Sequence, residues 1–229
     1  GEGPNYSCTT KPITPLVDVT AAAGLNEIND AIDSMSPNGA TNVPEGLAWG
    51  WRVVSGAAPF SEGRADSENG NDKVVIVLTD GENTYYTPGS LGYADDADNK
   101  STYSAYGYAG KTQPGASFTR LFMGTSANKS GYYNDNYTTA MNGHMQQLCD
   151  NAKSKGLILM TVSLDLSETK SGEKDAIQAL KECASESRFR KDPNNPSKAA
   201  KLYWNATGGN LSEKFEEIAD ELSNLRIVG

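Results

Sequence analysis

The run Lys73-Val-Val-Ile-Val-Leu-Thr-Asp-Gly-Glu-Asn83 constrains the fold more than any other stretch. Its apolar part is too short for a buried helix and is rich in Val and Ile. It therefore reads as a strand covered on both faces, as in a parallel sheet. An acid, Asp80, closes the run, and Gly81 lets the chain turn away sharply. Open α/β sheets bind ligands in the crevice outside the carboxyl ends of their strands. An oxygen ligand at Asp80 thus stands where it can reach a hard cation or a partner.

The rest of the chain alternates helix and strand. Leu25, Ile28, Ile32 and Met35 recur at helical spacing, as do Val43, Leu47, Trp51 and Val54, with Pro44 near a helix start. Met141, Met145, Leu148 and Ala152 mark a further helix, and Leu157–Ser163 a second buried strand. Ile177, Leu180 and Ala184 follow as a helix, and Lys201–Asn205 as a weaker strand. Asn210 with Glu213 has the form of a capping box. It precedes an apolar stripe of Leu211, Phe215, Ile218, Leu222 and Leu225. The expected fold class is α/β, a mostly parallel sheet covered by helices. Residues 1–229 are expected to form a single domain, or part of one, with a long inserted polar loop at about 84–138. A loop of that length inside a compact domain is usually functional. Its tyrosines suit a contact surface folded over the strand ends, and an ordered excursion that only buries a sheet edge is the other reading.

The net charge of −9 argues against nucleic acid, which requires a basic face. No apolar run reaches the ~18 residues of a membrane helix. Of three cysteines, Cys149 and Cys183 fall in helices flanking one strand. Right-handed crossovers that keep winding one way put such helices on one face. A disulfide there would imply an oxidising compartment, whereas two buried free thiols are the alternative. Cys8 could pair with a cysteine upstream.

Enzymatic readings find little support. His144 is the only histidine and stands next to a glycine in a helical pattern, without a nucleophile elbow or a reactive-cysteine context. No phosphate-cradling glycine loop is present. A glycosidase-like hydrolase using two surface carboxylates is the enzyme alternative, but the sequence does not pair them. Asp95–Asn99 lacks the glycine and distal glutamate of a calcium loop and reads as a solvated loop. Asn205-Ala-Thr207 has the form of a glycosylation sequon.

Gly39-Ala-Thr-Asn-Val-Pro-Glu-Gly-Leu-Ala48, followed by the strand ending Leu78-Thr-Asp-Gly81, resembles the von Willebrand factor A-like domain. Thr41 and Asp80 match two positions of that family's metal-ion-dependent adhesion site. Further stretches resemble TadG-like proteins of bacterial tight-adherence (Flp-type) pilus assembly. They are Pro12–Leu16, Gly46–Arg52, Pro59-Phe60, Leu148-Cys149, Lys155-Gly156, Leu180–Ser185 and Leu225–Ile227. The resemblance implies a non-catalytic protein-binding or adhesion module of the bacterial envelope, periplasmic or cell-surface. Its partner would be a pilus or envelope protein, and the parent protein would be membrane-anchored upstream. The family's Asp-x-Ser-x-Ser motif is absent before Thr41, and the first strands of the fold are missing, so the chain resembles the C-terminal part of a longer protein. Mg²⁺ takes about six oxygens, and Thr41 and Asp80 supply two. Firm binding of Mg²⁺ or another divalent cation is expected only if the upstream motif is supplied. The absent strand would leave a sheet edge unpaired, to be covered by residues 1–20 or by a second copy. A permuted alternative takes Asp165, Ser167 and Thr169, in an Asp-x-Ser-x-Thr pattern after the second strand, as the missing ligands.

Overall fold

The computed structural model describes residues 11–37, 39–68, 70–88 and 99–225. Three parallel strands form its sheet: β1 (Val74–Thr79), β2 (Ile158–Leu164) and β5 (Tyr203–Ala206), in the order β1-β2-β5. Five α-helices lie wholly within the described residues: α1 (Ala22–Asp33), α2 (Val43–Val54), α3 (Asn134–Ser154), α4 (Ser171–Cys183) and α5 (Leu211–Leu225). β3 (Glu186–Asp192) and β4 (Asn195–Lys201) make a separate antiparallel hairpin between α4 and β5. Among the described residues, no helix is long and apolar enough to cross a membrane.

The expected strands and helices fall within a few residues of their places. β1 and β2 pair in parallel from Val74↔Ile158 to Thr79↔Ser163. Their crossover runs through α3, and that from β2 to β5 through α4. Both helices lie on one face with α2, around Leu47, Val75, Val77, Met145, Leu159 and Leu180. Each side chain this fully buried contributes roughly 1.5–3 kcal/mol through the water it no longer meets. α5 covers the other face, where Ile218 and Leu225 meet Ile158, Met160, Val162 and Trp204.

Winding in one direction brings α3 and α4 side by side, and Cys149 and Cys183 form a disulfide with their Cα atoms 5.1 Å apart. Of the two readings of these cysteines, the disulfide is the one observed; Cys8 lies outside the described residues.

Three expectations need correction. β1 is not covered on both faces: Val75, Val77 and Thr79 are buried, but Ile76 and Leu78 remain 38% and 45% exposed. β1 ends the sheet order, and α5 reaches over β2 and β5 without covering its outer residues. Next, the stripe of α1 is not part of the core: Leu25, Ile32 and Met35 are exposed, Ile28 is half-buried, and the helix has no buried residue. Lastly, Asn210 does not make a capping box. Its Oδ1 accepts the Thr207 N–H at 2.7 Å, which closes the turn before α5, and Phe215 of the expected stripe is exposed.

The hairpin is fastened to α5 by a buried charge. Glu221, 2% exposed, accepts hydrogen bonds from the Ser187 hydroxyl at 2.6 Å and from Arg190 Nε at 2.9 Å. The Arg190 guanidinium also lies 5.0 Å from the centre of the Trp204 ring. A buried carboxylate is tolerable only with such partners.

The disulfide closes a loop across a sequence separation of 34. In the chain-entropy account, a loop of this size is worth about 3–4 kcal/mol. The Cys149→Ala/Cys183→Ala variant should lose about that much in urea unfolding, and the wild-type chain should gain two protons in mass on reduction.

Candidate functional site

The carboxyl end of β1 is built by side chains that bond to backbone. The Thr79 hydroxyl donates to the Gly81 carbonyl at 2.9 Å and accepts the Gly81 N–H at 3.3 Å, so the chain turns at once after the strand. The segment before α2 is then fastened to the segment after the turn. The Thr41 N–H donates to Thr84 Oγ1 at 2.9 Å, and the Thr84 N–H to the Thr41 carbonyl at 3.0 Å. Thr41 Oγ1 lies 4.0 Å from where a Cβ on Gly81 would stand. Asp80, the preceding residue, is exposed. The hydroxyl of one motif and the strand end of the other therefore occupy a common rim.

Two residues of this rim were not singled out in the sequence. Asn83, 3% exposed, accepts the Val43 N–H at 2.9 Å and donates through Nδ2 to Asn142 Oδ1 at 2.8 Å. Its carbonyl accepts the Thr138 hydroxyl at 2.7 Å. One side chain thus ties the start of α2 and the middle of α3 to the end of β1. Asn42 caps α2 by accepting the Glu45 N–H, which leaves the Val43 N–H for Asn83. Glu82 is the second. Its carboxylate lies against Gly172 in the first turn of α4, where a Cβ would collide with it. The helix dipole favours an acid there. The only sequence signal was the polarity of Glu82-Asn83 directly after an apolar strand, where turn residues are ordinary.

Asp165, Ser167 and Thr169 are engaged in other ways. Asp165 takes a left-handed conformation, φ 55°, and accepts the Gly208 N–H at 3.1 Å, on the β5 side of β2. Ser167 and Thr169 share a hydroxyl hydrogen bond of 2.9 Å, and the Ser167 N–H donates to Glu173. None of these contacts leads to Asp80. Among the described residues, no three acidic, histidine or cysteine side chains are grouped to hold a metal ion. Thr41 and Asp80 offer one neutral hydroxyl and one carboxylate toward the about six oxygens that Mg²⁺ takes, and the Glu82 carboxylate is turned to the first turn of α4.

The long excursion after the rim packs beside α3 around its own aromatic core of Tyr85, Leu121, Phe122, Tyr137 and Met141. This core and the polar ties around it hold the described part of the excursion in place. The Tyr85 hydroxyl donates to the Gly107 carbonyl at 3.0 Å, and the Tyr137 hydroxyl to the Lys100 carbonyl at 2.5 Å. Tyr106 stacks on His144, with ring centres 5.3 Å apart. His144 Nε2 is 2.9 Å from the Leu121 carbonyl, an acceptor only, so the ring donates there and serves the packing. Tyr103 and Tyr133 remain exposed for contact. Asp95, Asp96 and Asp98 of the acidic stretch lie outside the described residues. At the other end of the sheet a depression of about 430 Å³ is lined by Lys153, Arg188 and Lys201. Each of these cations already meets an acid: Asp150, Asp72 and Glu186 respectively.

Burial pushes the Tyr85, Tyr106 and Tyr137 phenols above their ordinary range. The unfolded chain ionises its tyrosines near pH ~10 while the folded core holds them neutral. Their contribution should be fully present below that pH and fall as pH rises beyond it, which urea midpoints between pH 8 and 11.5 would register. Asn83→Ala should leave the Val43 N–H buried without a partner and cost about 2 kcal/mol in urea unfolding.

Comparisons with protein-family models, with curated proteins and with solved structures return no match for the chain.

Proposed function

We propose that this chain is part of a von Willebrand factor A-like domain acting as a non-catalytic protein-binding module of the bacterial envelope. Within that class it serves Flp-type pilus assembly or anchoring, in a parent protein of TadG-like kind held by an upstream membrane segment. One observation carries the reading. Thr41 Oγ1 sits 4.0 Å from the Cβ position of Gly81, so the Gly-x-Thr and Thr-Asp-Gly motifs share one rim. Neighbouring strand-end loops of a parallel sheet are where such a fold takes its ligands.

The rim is held from behind. Asn83, Thr84 and Thr138 fix the two loops to each other and to α3, so a partner meets exposed Asp80 on a backbone that does not need reordering. Preorganisation of this kind reduces the entropy lost on binding. The disulfide suits the oxidising periplasm or cell surface. In this chain the partner is taken without metal. An Asp-x-Ser-x-Ser strand joined upstream would add the oxygens that Mg²⁺ requires.

Calorimetric titration with Mg²⁺, Mn²⁺ and Ca²⁺ tests the reading. The chain alone should show no micromolar binding, and a longer chain that carries the upstream motif should show it. Micromolar binding to this chain that disappears in Asp80→Ala would overturn the two-oxygen account.

A further inference from the structure

One face of α3 carries both the support of the rim and the disulfide. Thr138, Asn142, Met145 and Cys149 follow one another at the i, i+4, i+7 and i+11 spacing that shares a helix face. The first two hold the rim: the Thr138 hydroxyl donates to the Asn83 carbonyl at 2.7 Å, and Asn142 Oδ1 accepts from Asn83 Nδ2 at 2.8 Å. Cys149 stands two turns beyond Asn142, about 10 Å along the axis, and is bonded to Cys183 of α4. An intact helix of this kind carries the position of one end to the other.

The two bonded helices are anchored differently. α4 is hydrogen-bonded to β2: its Leu180 carbonyl accepts the Thr161 hydroxyl at 2.9 Å. Directly after the helix, the Ser185 N–H donates to the Leu159 carbonyl at 2.8 Å, and Ser185 Oγ accepts the Leu159 N–H at 2.9 Å. Among the described residues, no hydrogen bond joins α3 to β1 or β2. α3 meets the sheet through Met145, Cys149 and Ala152 in the apolar cluster. Apolar contact is non-directional. It resists separation but does not fix a helix along or about its own axis. Lys153 Nζ also reaches the Glu182 carbonyl of α4 at 3.0 Å, at the exposed surface. The disulfide is thus the buried tie that places α3 on the hydrogen-bonded part of the fold, and Asn83 is placed from α3.

We infer that oxidation of Cys149 and Cys183 sets the rim. The dithiol chain keeps the core but holds Asn83 loosely, and the disulfide fixes α3 and, through it, the loops of Thr41 and Asp80. In that step the two thiols give up two protons and two electrons to a disulfide oxidant, which leaves as a dithiol. Two thiols cannot stand as close as two bonded sulfurs, and a close-packed core passes such a difference on to its neighbours. Both cysteines are fully buried, so a reductant reaches the bond only by opening the core. The device therefore acts once, on arrival in an oxidising compartment. A chain still in a reducing compartment presents no finished rim. The inference rests on the reading of the rim as a partner surface.

NMR on the full chain tests the inference without a partner. The Val43 N–H and the Asn83 Nδ2 group report the rim, since they bond Asn83 to α2 and α3. The Asp165 N–H is the control: it lies at the same end of the sheet but is held by the Ala206 carbonyl, not by α3. In Cys149→Ala/Cys183→Ala the Val43 and Asn83 signals should shift or be lost to exchange broadening, while that of Asp165 keeps its position. The wild-type chain folded in the presence of a dithiol reductant should show the same pattern, and serves if the variant does not fold. Unmoved Val43 and Asn83 signals would mean that the disulfide serves stability alone, and would overturn the inference. Equal displacement at Asp165 would do so as well. So would failure of both forms to fold, since the dithiol chain is held to keep its core. None of these results bears on whether the rim takes a partner, and a rim that finds no partner leaves this inference standing.

Discussion

The buried amide of Asn83 is the constraint from which the carboxyl end of β1 and its surroundings follow. Its oxygen takes the Val43 N–H, its nitrogen reaches Asn142, and its carbonyl takes the Thr138 hydroxyl. A helix start needs outside acceptors for its first N–H groups. In α2, Asn42 satisfies one and Asn83 another. The position of α2 relative to β1 is thus set by polar geometry at the strand end, and by apolar packing of Leu47 on Val75 and Val77 further down. Because the Thr41 segment leads directly into α2, the tie that places the helix also places the hydroxyl of the rim.

The same physics explains the excursion between β1 and α3. It begins at Thr84, already bonded to Thr41, and its first aromatic residue, Tyr85, drops into a cluster with Tyr137 and Phe122. Tyrosine suits this place because the ring fills space while the hydroxyl reaches a loop carbonyl. These phenols donate to Gly107 and Lys100, main-chain acceptors that lie outside regular structure. Polar side chains do here the work that a ladder does in a strand.

Much of the fold was legible because apolar spacing reports burial. The runs at 73–79 and 157–163 gave strands, and the recurrence in α2, α3 and α4 gave helices. The β3–β4 hairpin was invisible for the opposite reason: Glu186-Ser-Arg-Phe-Arg-Lys-Asp192 carries no apolar alternation, and one face meets the protein mainly through Ser187 and Arg190 on Glu221. Asn83 was equally hidden, since a buried asparagine after a strand has the composition of any turn. Exposure was misread in β1 and α1. An unbroken apolar run cannot distinguish a strand covered twice from one whose outer half stays exposed, and the stripe of α1 reads the same whether or not anything packs on it.

Two kinds of incompleteness meet on β1, and they have different energetic weight. At the rim, Asp80 is exposed and Thr41 half-buried, so both keep contact with water and leaving them without a cation costs little. The edge and outer face are another matter, since Ile76 and Leu78 keep apolar area in water and each methylene covered is worth about 0.8 kcal/mol. The open N–H and C=O groups gain less, about 1 kcal/mol for each bond exchanged from water. A strand paired on this side would therefore be stabilised chiefly by the apolar face and given register by the backbone. A strand added there would also stand beside the rim, because β1 carries both the open edge and Asp80.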